Sequence, residues 1–222
     1  MLRSQEALIL PRFPAQRDES TDLIDIRIDA ANLRLSITNT GRGIAVQRHE
    51  VDGVWVPELV MGSLYTGSNF DDSTARTVGG RHGFGAKLTN IFSRELEVET
   101  MDMRAGLHYK QQWTDNMSVR AEPVIQEIAQ MNVKELESAR IVGGLPRDFT
   151  RVTFVPDLAR FGVSTISTDM VNLFRRRAVE AAVCALPAKV RLNGDVIKLR
   201  GLQEFMQLYL PPSGIFFPSL AH

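Results

Sequence analysis

Two stretches near the start of the chain alternate hydrophobic and polar residues with a period of two. Ile24, Ile26 and Ile28 alternate with Asp25, Arg27 and Asp29; after Ala30-Ala31-Asn32, Leu33, Leu35 and Ile37 alternate with Arg34, Ser36 and Thr38. Successive strand side chains point to opposite faces, so each run has one apolar and one polar face, and the short turn between them predicts an antiparallel pair. Pro57 followed by Glu58, Leu59, Val60 and Met61 predicts a short helix opened by its proline. Ala86, Leu88, Ile91 and Phe92 have helical spacing, and Val171, Phe174, Ala178, Ala181 and Ala182 form an apolar stripe within 170–186. Residues 96–100, 107–113, 117–124 and 151–156 read as further strands, the last stopped by Pro156. A solvated helix and loop are expected over 126–148. Asn193-Gly194, set between Val190-Arg191-Leu192 and the run 196–199, is a two-residue hairpin signal, and 202–210 reads as a short amphipathic helix. Strands come in hairpins with helices between them, without regular β-α-β alternation. The predicted fold is α+β: a two-layer sandwich whose mixed, mainly antiparallel sheet carries helices on one face.

Composition narrows the function classes. The 222 residues, 44% of them hydrophobic, suffice for a core. With 26 basic and 26 acidic residues, net charge gives this surface no general attraction for nucleic acid. A single cysteine, Cys184, excludes an internal disulfide, and His49, His82, His108 and His222 are too scattered for a zinc site. No apolar run approaches the roughly 18 residues of a membrane-spanning helix, so no membrane partner is expected. The first seventeen residues hold three arginines and one acid, the bias of a transit peptide. The organisation read from the chain is a divergent segment over 1–20, one domain over 21–210 and a divergent tail over 211–222.

The unusual chemistry lies in Gly79-Gly80-Arg81-His82-Gly83-Phe84-Gly85-Ala86-Lys87. Glycines let backbone N–H groups approach a ligand, and the helical spacing that follows puts them at a helix start. Such a start offers N–H groups and a favourable dipole to phosphate, with Arg81 and Lys87 adding positive charge. A surface loop capped by a helix is the alternative. The familiar phosphate loop does not fit, because Ala86 separates Gly85 from Lys87 and Leu88 takes the hydroxyl position. The dinucleotide fingerprint fails too. Asn39-Thr40-Gly41-Arg42-Gly43-Ile44, closing the second strand, can hold a ligand's hydrogen-bonding edge against close backbone, or can be a plain glycine turn. The polar segment 66–77 is where a mobile lid is expected.

Taken together, these motifs resemble the ATP-binding domain of eukaryotic type IIA DNA topoisomerases, within the GHKL (Bergerat-fold) ATPase superfamily. The resemblance runs from about Gln16 to Leu210. It rests on 39–44, Val56-Pro57-Glu58-Leu59, Thr66-Gly67-Ser68-Asn69-Phe70-Asp71-Asp72, 79–93, Gln112-Trp113-Thr114-Asp115-Asn116-Met117, Val152-Thr153-Phe154 and Pro156-Asp157-Leu158. It implies that Asn39 sits at the adenine pocket, with Gly41 and Gly43 admitting the base closely. Ser68 and Asn69 would reach ribose and phosphates. Gly80, Arg81, His82, Gly83, Phe84, Gly85, Ala86 and Lys87 would wrap the triphosphate, and Thr153 would close the adenine pocket. The family's partners follow: ATP with Mg2+, a second protomer across an ATP-operated gate, and DNA held by other domains of the parent protein. The implied compartment is the nucleus, with the mitochondrion as the alternative.

The chain also departs from the family pattern. The first motif there carries a Glu as general base and, four residues on, an Asn that ligands magnesium. Here those positions hold Glu6 and Leu10, and leucine has no oxygen for a hard cation. Either residues 1–15 are unrelated to the family or the metal ligand is lost. Gly67 stands where a ribose-contacting Ser is usual. The transducer, whose Lys contacts the γ-phosphate, and the cleavage core with its Tyr lie beyond the matched residues. The expectation is that this chain binds ATP and hydrolyses it poorly; the alternative is a nucleotide-independent dimerisation or interaction module on the same fold.

Overall fold

The computed structural model describes residues 18, 20–63, 84–139 and 146–210. Its strands are β1 (Leu23–Asp29), β2 (Arg34–Thr40), β3 (Ser93–Asp102), β4 (Leu107–Thr114), β5 (Val119–Arg120), β6 (Val124–Glu127), β7 (Phe149–Pro156), β8 (Lys189–Leu192) and β9 (Asp195–Val196). The described helices are α1 (Val56–Gly62), α2 (Phe84–Ile91), α3 (Val133–Ala139), α4 (Thr168–Cys184) and α5 (Leu202–Gln207). All the strands join one sheet, in the order β5-β4-β3-β7-β2-β1-β8-β9, with β6 also on β4. Among the described strands only β1 and β8 pair in parallel, so the sheet is mixed and mainly antiparallel, as the strand patterning predicts.

The register carries the period-two pattern across the sheet. Ile26 faces Ile37, Ile37 faces Val152, and Val152 faces Val98. These residues, with Leu35, Leu96, Phe154, Tyr109 and Trp113, make one apolar surface. Met61 of α1, Ala86 of α2 and Phe174 of α4 cover it, and Ala178 and Ala182 of α4 extend the cover over Ile24, Ile26 and Val190. The small residues of α4 let the helix lie close to β1 and β8. A smaller cluster of Met101, Phe149 and Met131 forms on the opposite face, where Leu136 of α3 packs on it. The rest of that face is polar, with Lys110 paired to Glu97 and Arg151 to Glu99.

Three expectations change. The strand expected over 117–124 is broken: a left-handed turn occupies 115–117, and β5 covers only Val119–Arg120. Residues 126 and 127, expected at the start of a solvated helix and loop, instead belong to β6 on the outer edge of β4. Pro123 explains the break, because it offers no N–H to a ladder and separates two short partners of one long strand. The second strand of the Asn193-Gly194 hairpin is also shorter than its sequence run, ending at Val196. Among the described residues no helix is long and apolar enough to cross a membrane.

Candidate functional site

At one end of the helix-covered face the apolar rows give way to three polar residues side by side. Asn39 of β2 pairs with Thr150 of β7, which pairs with Thr100 of β3. The Thr100 hydroxyl donates to the Phe149 carbonyl at 2.8 Å and lies 3.3 Å from the Thr150 hydroxyl. Thr150 in turn accepts from the Ile44 N–H at 3.3 Å. The two hydroxyls therefore fasten the loop after β2 onto the sheet. Asn39 is half-buried, and its Nδ2 donates to the Thr40 carbonyl at 3.2 Å. An amide has a second N–H and an acceptor oxygen, the complement a base edge requires.

The glycines of this loop are fixed by geometry. A Cβ on Gly43 would lie 2.7 Å from the Thr100 hydroxyl and 2.9 Å from the carbonyl oxygens of Met101 and Phe149. Gly41 has φ +99°, and a Cβ there would meet the Thr21 hydroxyl at 2.3 Å. A side chain at either position would displace the loop from the polar row. Beneath the loop, Asp102 accepts from the Val46 N–H at 3.1 Å and from the Arg104 and Ala105 N–H groups, so its carboxylate is engaged in holding backbone.

α2 turns directly into β3 and packs back over β3 and β7. Its first turn, Phe84–Lys87, is where a helix has N–H groups without intrahelical acceptors. Gly85 is exposed, and nothing lies within 4 Å of where its Cβ would be. Lys87 is buried, and burial pushes its ammonium below the ordinary lysine range. Asn90 ties α2 to α1 by donating to the Met61 carbonyl at 3.2 Å. Glu6, Leu10, Ser68, Asn69, Gly80, Arg81, His82 and Gly83 lie outside the described residues. Among the described residues no cluster of three or more His, Cys, Asp or Glu could hold a metal ion.

Thr153 is not brought to this site. Its hydroxyl donates to the Ser36 hydroxyl at 3.1 Å on the opposite face of the sheet, and its neighbours Val152 and Phe154 point into the core. Strand parity is the reason, and the sequence displays it: with Val152 and Phe154 inward, Thr153 must face outward and Thr150 inward. Thr150 is therefore the β7 threonine that lies beside Asn39, and Thr100 joins it without any sequence motif to mark it.

No family model matches the chain. The putative mitochondrial DNA topoisomerase 2 of Caenorhabditis elegans is 39% identical over 202 residues, covering 90% of this chain and 16% of the relative. The crystal structure of the ATPase region of Saccharomyces cerevisiae topoisomerase II superposes with a TM-score of 0.81 at 34% identity, over 93% of this chain and 51% of that one. The ATPase and transducer domains of Balamuthia mandrillaris DNA topoisomerase II give a TM-score of 0.77 at 39% identity, over 93% and 48%. The chain thus spans about half of each solved region and a sixth of the longer relative. Sequence and fold agree over nearly all of its length: the chain is homologous to part of the ATPase region of type II DNA topoisomerases.

Proposed function

We propose that this chain binds ATP, with the adenine edge against Asn39, the base beside the Gly41–Gly43 loop and the phosphates at the start of α2. The observation that carries the reading is the row Asn39, Thr150 and Thr100, with Gly43 pressed onto it where no Cβ fits. This row sets three polar residues side by side at the end of a mainly apolar layer, beside a backbone that only glycine can form. The solved relatives, an ATPase region and a unit of ATPase and transducer domains, support the same reading. Ser68, Asn69 and Gly80 to Gly83 would complete the ribose and phosphate contacts. Phe84, Gly85 and Ala86 would supply N–H groups, and Lys87 positive charge. Thr150 replaces Thr153 in this assignment.

Hydrolysis by this chain alone is expected to be weak. Counted without gaps, Leu10 stands where the family's first motif has its magnesium-binding Asn, and leucine offers no oxygen to the cation. That cation acts on charge that builds on the transferring phosphoryl group. In the parent protein, ATP binding would bring two protomers together as a gate during DNA strand passage, with DNA held by other domains.

Calorimetric titration with the non-hydrolysable analogue AMP-PNP tests the reading. The unmodified chain should bind and Asn39→Ala should bind at least tenfold more weakly, since a buried polar contact to a base is lost. Absence of binding by the unmodified chain, with a molar mass by light scattering that is the same with and without analogue, would leave the nucleotide-independent module as the function.

A further inference from the structure

Two sequence motifs have no part in the nucleotide contacts above: Asp115-Asn116-Met117 and Pro156-Asp157-Leu158. They meet at the C-terminal end of α2. Asp115, Asn116 and Met117 have φ of 53°, 56° and 71°, three consecutive non-glycine residues in the left-handed region. Asn and Asp tolerate that region through local hydrogen bonds, whereas an unbranched apolar residue such as Met has no such compensation. The run is pinned by the Asp115 N–H donating to the Arg94 carbonyl at 2.9 Å and the Asn116 N–H to the Ser93 carbonyl at 3.1 Å.

The Asn116 side chain turns toward the helix. Its Nδ2 donates to the Ile91 carbonyl at 3.1 Å, and it also lies within reach of the Ser93 carbonyl at 3.3 Å and the Asp157 carboxylate at 3.2 Å. The Asp157 N–H donates to the Phe92 carbonyl at 2.8 Å, and its carboxylate is steadied by Arg160 at 3.3 Å. Three successive carbonyls at the exit of α2, those of Ile91, Phe92 and Ser93, thus each receive a donor from the two motifs. Of the three, Ile91 belongs to the last turn of α2, whose carbonyls have no intrahelical partner, and Phe92 and Ser93 follow it as the chain passes into β3.

We infer that Asn116 is a positioning residue for the nucleotide site: it clamps the C-terminal end of α2 and so fixes where the first turn presents its N–H groups. The inference rests on the ATP reading. A helix of eight residues has too few internal hydrogen bonds to hold its own direction, so its anchors set its orientation. At the other side Asn90 ties it to α1, and the Asn116–Asp157 pair holds its exit. A connection needed only to reverse the chain could use Asn-Gly without a strained methionine. Strained backbone persists where its surroundings over-determine it, and it collects at functional sites. Here the strain aims one amide at the helix that would carry phosphate.

Asn116→Gly tests this, because glycine keeps the left-handed backbone and removes only the amide. In the nucleotide-free chain, hydrogen exchange of the α2 amides should quicken at least tenfold, while exchange in β1 and β2 stays unchanged. AMP-PNP affinity should fall at least tenfold, while adenosine, which lacks phosphates, should change less than twofold. Unchanged α2 exchange overturns the clamp. Faster exchange with unchanged AMP-PNP affinity, or equal losses for AMP-PNP and adenosine, overturns the positioning role. No AMP-PNP binding by the unmodified chain removes the ATP reading and the inference with it, an outcome distinct from a loss confined to the variant. Should Asn116→Gly fail to fold, Asn116→Asp, which keeps the shape but turns the donor into an acceptor, carries the same expectations.

Discussion

A single methyl group added at Gly43 would meet three oxygens at once, two of them carbonyls locked in the ladders of β3 and β7. Those carbonyls cannot rotate away, so the loop itself has to lift. Gly43→Ala should therefore destabilise the chain by about 1–3 kcal/mol, the usual cost of overpacking, and abolish AMP-PNP binding. Urea unfolding and calorimetry on the same preparation check both. The threonines offer a paired test. Thr150→Val takes the acceptor from the half-buried Ile44 N–H and should weaken both stability and analogue binding, with a stability loss of about 1 kcal/mol. Thr153→Val, on the opposite face, should leave analogue affinity unchanged. Equal effects of the two would remove the face assignment. Much of this site is legible in the chain: Asn39, Gly41 and Gly43 stand together, and the parity of Val152 and Phe154 separates Thr150 from Thr153. Thr100 is not legible, because its hydroxyl meets Thr150 only through the β3–β7 register, between residues 50 apart in sequence.

Elements with a complete period were the most readable. The alternation over β1 and β2 and the apolar stripe of α4 each carry a full buried face, and the structure forms all three. What the pattern conceals is pairing with small, half-exposed partners. Val124-Ile125-Gln126-Glu127 has no clean alternation, and its strand state comes from the free edge of β4 rather than from its own sequence. The parallel contact of β1 with β8 is likewise a product of chain return through α4, which no local signal announces. The start of α4 is a purely local matter. The Ser167 hydroxyl accepts from the Met170 N–H at 3.2 Å, and Asp169 adds negative charge to the first turn. Ser167→Ala should cost about 0.5–2 kcal/mol, read as a lower urea midpoint at unchanged slope. A changed slope would instead indicate loss of two-state unfolding and leave the cap without the predicted role.

Across the whole molecule, equal numbers of acidic and basic residues are arranged so that one sheet face is apolar beneath helices and the other is crossed by ion pairs. At the centre of that second face, Glu99 is buried and receives His108 at 2.9 Å and Arg151 at 2.8 Å. Burial pulls its carboxyl upward, but the His108 hydrogen bond and the charges of Arg151, His108 and Lys110 outweigh it and hold the carboxyl below the ordinary glutamate range. A group whose folded pKa lies below its unfolded value stabilises the fold fully above the unfolded value, about 4.3 for glutamate, and loses that contribution as pH falls through the folded one. Asp22 is depressed in the same direction, first by the Thr40 hydroxyl and further by Arg147, so the acid limb of the unmodified chain is composite. A difference curve isolates Glu99. Glu99→Gln keeps an acceptor for Arg151 but cannot ionise, so it should be less stable than the unmodified chain at pH 7. The two should converge as pH is lowered below about 4.3. Urea midpoints measured from pH 7 to pH 3 provide the curve; a constant gap over that range would mean that the sheet's polar face is held by the shape of its hydrogen bonds and not by the charge at its centre.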